Sequence, residues 1–132
     1  MRLRTFHCIL ILGLASIVIP HTCWSSNAED YFREGYVASM KREWNLAIDF
    51  FNKSIDLDPD NPGFYIQRAS AYQMTDRIDD AISDYETALK LRPDYYLAME
   101  YLANLYETKN EHSKALEIYN RALPLGRDSK CR

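Results

Sequence analysis

The 132-residue chain predicts an all-α solenoid of three antiparallel helix-turn-helix repeats, and three observations carry that prediction. Ala47, Ala81 and Ala115 are each 34 residues apart, and the same step links Pro59 to Pro93. In the same phase run an aromatic column (Phe51, Tyr85, Tyr119), a small-residue column (Gly35, Ala69, Ala103) and a leucine column (Leu57, Leu91, Leu125). Polar links punctuate the apolar segments at Arg42 to Asn45, Thr75 to Asp79 and Lys109 to Ser113. A period of this length marks stacked units, each a helical hairpin that cannot bury its apolar face alone and completes its core with its neighbours.

The first unit, residues 28–61, contains helices near 29–41 and 45–57, closed by Pro59, which lacks an amide donor and disfavours helix at the residue before it. Asn61 caps and Pro62 starts the second unit, residues 62–95, with helices near 63–75 and 79–91 and a stop at Pro93. The third unit, residues 96–125, has helices near 97–109 and 113–123, with Pro124 ending the last one early and a short tail at 126–132. Two helices approach closely only where neither carries bulk. Gly35, Ala69 and Ala103 in the first helices, with Ala47, Ala81 and Ala115 in the second, therefore mark the crossing points. The aromatic column lies four residues after each alanine on the same helix face and fills the space beside it. Ser54, Ala88 and Ala122 are the small residues against which the next unit packs.

This pattern resembles the tetratricopeptide repeat family over about residues 28–125. The family's large residue near the start of the first helix is Tyr31, Tyr65 and Met99, its small residue Gly35, Ala69 and Ala103, and its following tyrosine Ala38, Tyr72 and Tyr106. The departures are Ala38 in place of a tyrosine, and Arg127 where the third proline belongs, with Pro124 three residues early. The resemblance implies a right-handed superhelix and a non-catalytic protein-interaction module whose inner groove holds an extended peptide or a partner helix. The groove positions it implies are Phe32, Tyr36 and Met40 in the first unit, Ile66, Ser70, Gln73 and Met74 in the second, and Glu100, Asn104 and Glu107 in the third. Phe32, Tyr36, Ile66 and Met74 would offer apolar pockets, Ser70, Gln73 and Asn104 would fix a peptide backbone, and Glu100 with Glu107 would make one end acidic.

A subgroup of the family clamps the terminal carboxylate of chaperones, which must be met by donors and positive charge. Here the clamp places hold Phe32, Tyr36, Leu97 and Tyr101, so a carboxylate clamp is disfavoured and a ligand with apolar side chains and a basic end is expected. Only residues 126–132 follow Leu125, so no capping helix covers the last apolar face. Ile118, Tyr119, Ala122 and Leu123 are expected to be partly uncovered and to form a face for a homo-oligomer or a larger partner.

Residues 1–26 differ in composition: Arg2 and Arg4 precede a mostly apolar run from Cys8 to Ile19, then Pro20 and a polar stretch. That is the layout of a secretory signal peptide, with cleavage after Ser25 or Ala28. The run is shorter than the roughly 20 residues that span a bilayer, although an uncleaved anchor is the rival reading. The expectation is an exported protein, periplasmic or secreted, or else a scaffold anchored on the extracytoplasmic face and self-associating through its last helix; the membrane enters only through that segment. Export would leave Cys131 without an internal disulfide partner.

The net charge of −3, with Arg2 and Arg4 confined to the leader, leaves no basic stripe for phosphates and argues against nucleic acid. His7 and His21 lie in the leader and His112 in a turn beside Glu111, so no nucleophile, base and orienting group assemble. No cysteine and histidine spacing suits zinc, and four glycines make no phosphate-cradling loop. The sequence reading is a non-enzyme without cofactor or metal.

Overall fold

The structure is a computed structural model that describes residues 27–128 of the chain. The leader expected at 1–26 and Cys131 therefore lie outside the described residues. Six helices follow one another: α1 (Ala28–Met40), α2 (Trp44–Leu57), α3 (Pro62–Met74), α4 (Ile78–Leu91), α5 (Tyr96–Thr108) and α6 (His112–Asp128). They pack as three hairpins, α1 with α2, α3 with α4 and α5 with α6, and the hairpins stack through α2 on α3 and α4 on α5. The result is the all-α solenoid of stacked hairpins that the repeat period predicts.

Local chemistry sets the helix starts. The Asn27 side chain accepts from the Asp30 amide at 2.9 Å while the Asp30 carboxylate accepts from the Asn27 amide at 3.2 Å, so two otherwise orphaned donors are satisfied reciprocally. At α3, Asn61 accepts from the Gly63 amide at 3.0 Å and Pro62 occupies the first helical position, where its missing donor costs nothing.

Each hairpin turn is closed by one device used three times. Arg42, Asp76 and Asn110 adopt left-handed backbone, φ 63°, 60° and 61°, and are themselves 34 residues apart. The next amide, of Glu43, Arg77 or Glu111, donates back to the carbonyl of Ala38, Tyr72 or Tyr106 at 3.0, 2.9 and 2.8 Å. This is a Schellman closure, which satisfies carbonyls that the helix end leaves free and turns the chain into the second helix.

The columns meet in the core. Ala47, Ala81, Ala115, Ala69 and Ala103 are fully buried, as are Phe51 and Tyr85. Gly35 lies under the Phe51 ring, where an added Cβ would stand 2.6 Å from Phe51 Cε1. One column and one helix boundary behave differently. The leucine column is not core: Leu57 and Leu91 sit in the last turn of their helices and are exposed, so their period reports the repeat without reporting burial. The last helix does not stop at 123 but continues through Pro124 to Asp128. A proline loses its own amide bond and its ring crowds the carbonyl four residues before, which strains a helix at that point, but the donors that follow can still pair.

Candidate functional site

The first helices of the three hairpins are α1, α3 and α5, and α1 also meets α3 directly. Tyr36, Met40, Met74, Leu97 and Tyr101 are all exposed on them, Tyr36 to 51% and Met40 to 74%. Ser70, Glu100, Asn104 and Glu107 are exposed as well. Gln73 is half-buried and accepts from the Tyr85 hydroxyl at 2.8 Å, and Asn104 accepts from the Tyr119 hydroxyl at 2.9 Å. The aromatic column thus does more than fill the core: its two tyrosines reach across the second and third hairpins and orient polar groups on their first helices. Burial, with Tyr101 and Asp84 nearby, raises the Tyr85 pKa above the ordinary phenol value, so the hydroxyl stays a donor.

Not every expected groove residue is available. Ile66 is buried at 4% exposure and belongs to the core, because the middle hairpin is flanked on both sides and a position that is open at an end of the array closes there. Phe32 is half-buried, its ring 5.1 Å from that of Phe64 and 5.8 Å from that of Phe51, so it joins the two hairpins and does not stand free as a pocket wall. Conversely, Leu97 and Tyr101, read from sequence only as missing clamp residues, supply exposed apolar surface on α5. Tyr101 lies 5.7 Å from the Tyr85 ring. The signal available for them was that two large apolar residues stand one turn apart on a helix face expected to be polar.

The expected uncovered face on α6 also changes. Ile118 and Ala122 are buried, and Tyr119 is half-buried and bonded to Asn104, whereas Leu123 is exposed to 61% and so is Leu116, which the sequence reading omitted. At ~100° per residue, Ile118 lies on the flank turned toward α5, and Leu116 and Leu123 lie on the outer flank.

A depression of about 450 Å³ opens between α4, α5 and α6. Lys90, Lys114 and Arg121 at its wall are opposed by Glu86 and Glu117, so it has no marked charge preference. Tyr106 donates to Glu86 at 2.5 Å inside it. His112 shares a 2.9 Å contact with Glu107, and both are exposed.

Repeated hairpins with an exposed apolar inner side and polar groups held among it define a protein-interaction solenoid. The tetratricopeptide repeat family model matches residues 66–130, and the chain belongs to that family. It is 28% identical over 104 residues, 79% of this chain and 30% of the other, to "Small glutamine-rich tetratricopeptide repeat-containing protein 2" of Saccharomyces cerevisiae. "Heat shock protein STI1" of the same organism is 26% identical over 114 residues, 79% of this chain and 19% of that one. The chain therefore spans about a third or less of the length of these curated relatives. Among solved structures, "First TPR of Spaghetti (RPAP3) bound to HSP90 peptide SRMEEVD" superposes with a TM-score of 0.71 at 29% identity, covering 76% of this chain and 80% of that one.

These relatives overturn the exported or membrane-anchored location expected from residues 1–26, because the small glutamine-rich tetratricopeptide repeat-containing and STI1 proteins point to a cytoplasmic one. The physical reason is that an apolar run of about a dozen residues is no unique sign of a leader: the same length suits a helix buried in a core.

Proposed function

We propose that the chain is a non-catalytic adaptor whose inner side seats an extended peptide or a helix of a partner protein through apolar side chains. The carrying observation is that Tyr36, Leu97 and Tyr101 are exposed at places where a carboxylate-binding repeat needs cations. Tyr36, Met40 and Met74 give the ligand an apolar floor along α1 and α3, and Leu97 with Tyr101 extends it onto α5. Methionine and aromatic side chains suit this role because they present large, adaptable apolar area. Ser70, Gln73 and Asn104 meet the peptide backbone; with the oxygens of Gln73 and Asn104 held by tyrosines, their amide N–H groups are left for ligand carbonyls. Glu100 and Glu107 favour a basic residue at the α5 end. The neighbour that holds an HSP90 peptide supports a peptide seat in this fold, while the residues here favour a ligand of different charge.

The test is a fluorescence binding screen of short peptides that includes SRMEEVD beside apolar peptides with lysine at one end. The apolar, basic-ended class should bind the parent, lose about tenfold or more in affinity to the Tyr36→Ala, Met74→Ala variant, and weaken with Glu100→Lys, Glu107→Lys. Preference for SRMEEVD, or affinity unmoved by both variants, would sink the reading.

A further inference from the structure

Two aliphatic columns, mixed in isoleucine and leucine, run through the second helices in the 34-residue phase: Ile48, Ile82, Leu116 and Ile55, Leu89, Leu123. On α2 and α4, which a following hairpin covers, these positions are 5%, 9%, 9% and 6% exposed. On α6, Leu116 and Leu123 are each 61% exposed. The same helix face is thus dry in two hairpins and wet in the third, and α6 carries a finished docking face for one more helix. We propose that this face is occupied by α6 of a second copy of the chain, packed antiparallel about a two-fold axis near Tyr119 and Asn120.

The choice of occupant rests on the other end of the array. A head-to-tail copy would set its α1 on α6, as α3 sits on α2. Where α3 and α5 bury Phe64 and Ala98, α1 carries Asp30; where α3 carries Arg68, held by Asp84 and Asn52, and α5 buries Leu102, α1 carries Glu34. Seating those carboxylates beside Leu116 and Leu123 would take two charges out of water, with the neutral Asn120, the counterpart of the Asn52 that meets Arg68, in place of a counter-charge. Head-to-tail growth, the route to open filaments, is therefore disfavoured, and an isologous contact closes at two copies. The α6 face is self-complementary: Leu116, Tyr119 and Leu123 fall at i, i+3 and i+7, the seam spacing of paired helices. In an antiparallel pair Leu116 meets Leu123 of the partner subunit twice, and the exposed Asn120 lies near the axis, where a polar group opposite its own copy sets register.

Sedimentation velocity of the full chain over a wide concentration range should show a monomer–dimer equilibrium. Leu116→Glu with Leu123→Glu should weaken it about a hundredfold or more, while Val37→Glu on the outer side of α1 should leave it unchanged. In a chain with its three cysteines replaced by serine, Asn120→Cys should cross-link to a disulfide dimer on oxidation, a readout that holds even if the double glutamate variant loses its fold. A monomer at every concentration, a dimer indifferent to the α6 charges, open-ended assembly, or an Asn120→Cys chain that does not cross-link would each overturn the proposal.

Discussion

Arg68 and Asp84 form a two-point ion pair, Nε and Nη2 of the guanidinium donating to Oδ2 and Oδ1 of the carboxylate at 2.7 Å each. The remaining terminal nitrogen donates to Asn52 Oδ1, also at 2.7 Å, so one side chain on α3 ties α2 of the preceding hairpin to α4 of its own. Burial works against the charge on Arg68, but the bonds to Asp84 outweigh it and hold the arginine pKa above its ordinary value. Asp84 is 5% exposed, and its removal leaves the guanidinium without a counter-charge. Asp84→Ala should therefore cost about 3 kcal/mol by urea unfolding. A paired Arg68→Met, Asp84→Leu variant should cost less than Asp84→Ala alone, because no charge is stranded; an equal or larger loss would show that the pair is not what holds these helices.

The contact of Gly35 with Phe51 admits no side chain. A Cβ at 2.6 Å from a ring that is fully buried cannot be relieved by a small swing. Gly35→Ala should lower stability by about 1–3 kcal/mol, and Phe51→Leu in that background should restore part of it. Ala69 and Ala103 occupy the same column without a clash, so the sensitivity belongs to this pair and not to the column.

The left-handed turn residues respond to their chemistry. Arg42 has a Cβ that this backbone disfavours, whereas Asn110 tolerates it through its short polar side chain. Arg42→Gly should stabilise by about 1 kcal/mol in thermal unfolding, and Asn110→Gly by clearly less. Equal shifts at both would mean that the turn strain is not what is being relieved.

Two tyrosines couple stability to alkaline pH. Burial raises the pKa of Tyr85, with Tyr101 and Asp84 adding to the effect, and burial together with the bond to Glu86 raises that of Tyr106. A raised pKa in the folded state means that the fold holds protons the unfolded chain has released. The contribution is fully present below the ordinary tyrosine value of about 10 and is lost as pH rises beyond it. Stability should be flat from neutrality to that point and then fall, and Tyr85→Phe should reduce the slope. A slope unchanged by Tyr85→Phe and Tyr106→Phe together would assign the alkaline loss to other groups.

Helix existence, pairing and boundaries were legible because they follow from residues that act locally or at one fixed spacing. Pro59, Pro93, Asn61 and the alanine columns place the turns and crossings within a residue or two. The Schellman turns at Arg42, Asp76 and Asn110 carry no such label, since three unlike side chains adopt one backbone, and only the geometry of the two helices that they join demands it. Exposure was half legible: the helix face is set by the angle between successive residues, so Tyr36, Met40 and Met74 could be read from sequence as uncovered. Burial of Ile66 and Phe32 and exposure of Leu97 and Tyr101 depend on what the neighbouring hairpins cover.

By itself, then, the sequence determined the repeat, its three copies, the cap at Asn61 and the matching of small positions with large aromatic ones, because a 34-residue period and helical spacing are properties of the chain. Tertiary structure alone decided which apolar residues are covered. Leu116 is wet where Ile48 and Ile82 are dry, and Arg68 finds both Asn52 and Asp84, because burial and ion pairing are properties of neighbours and the neighbours exist only once the hairpins have stacked.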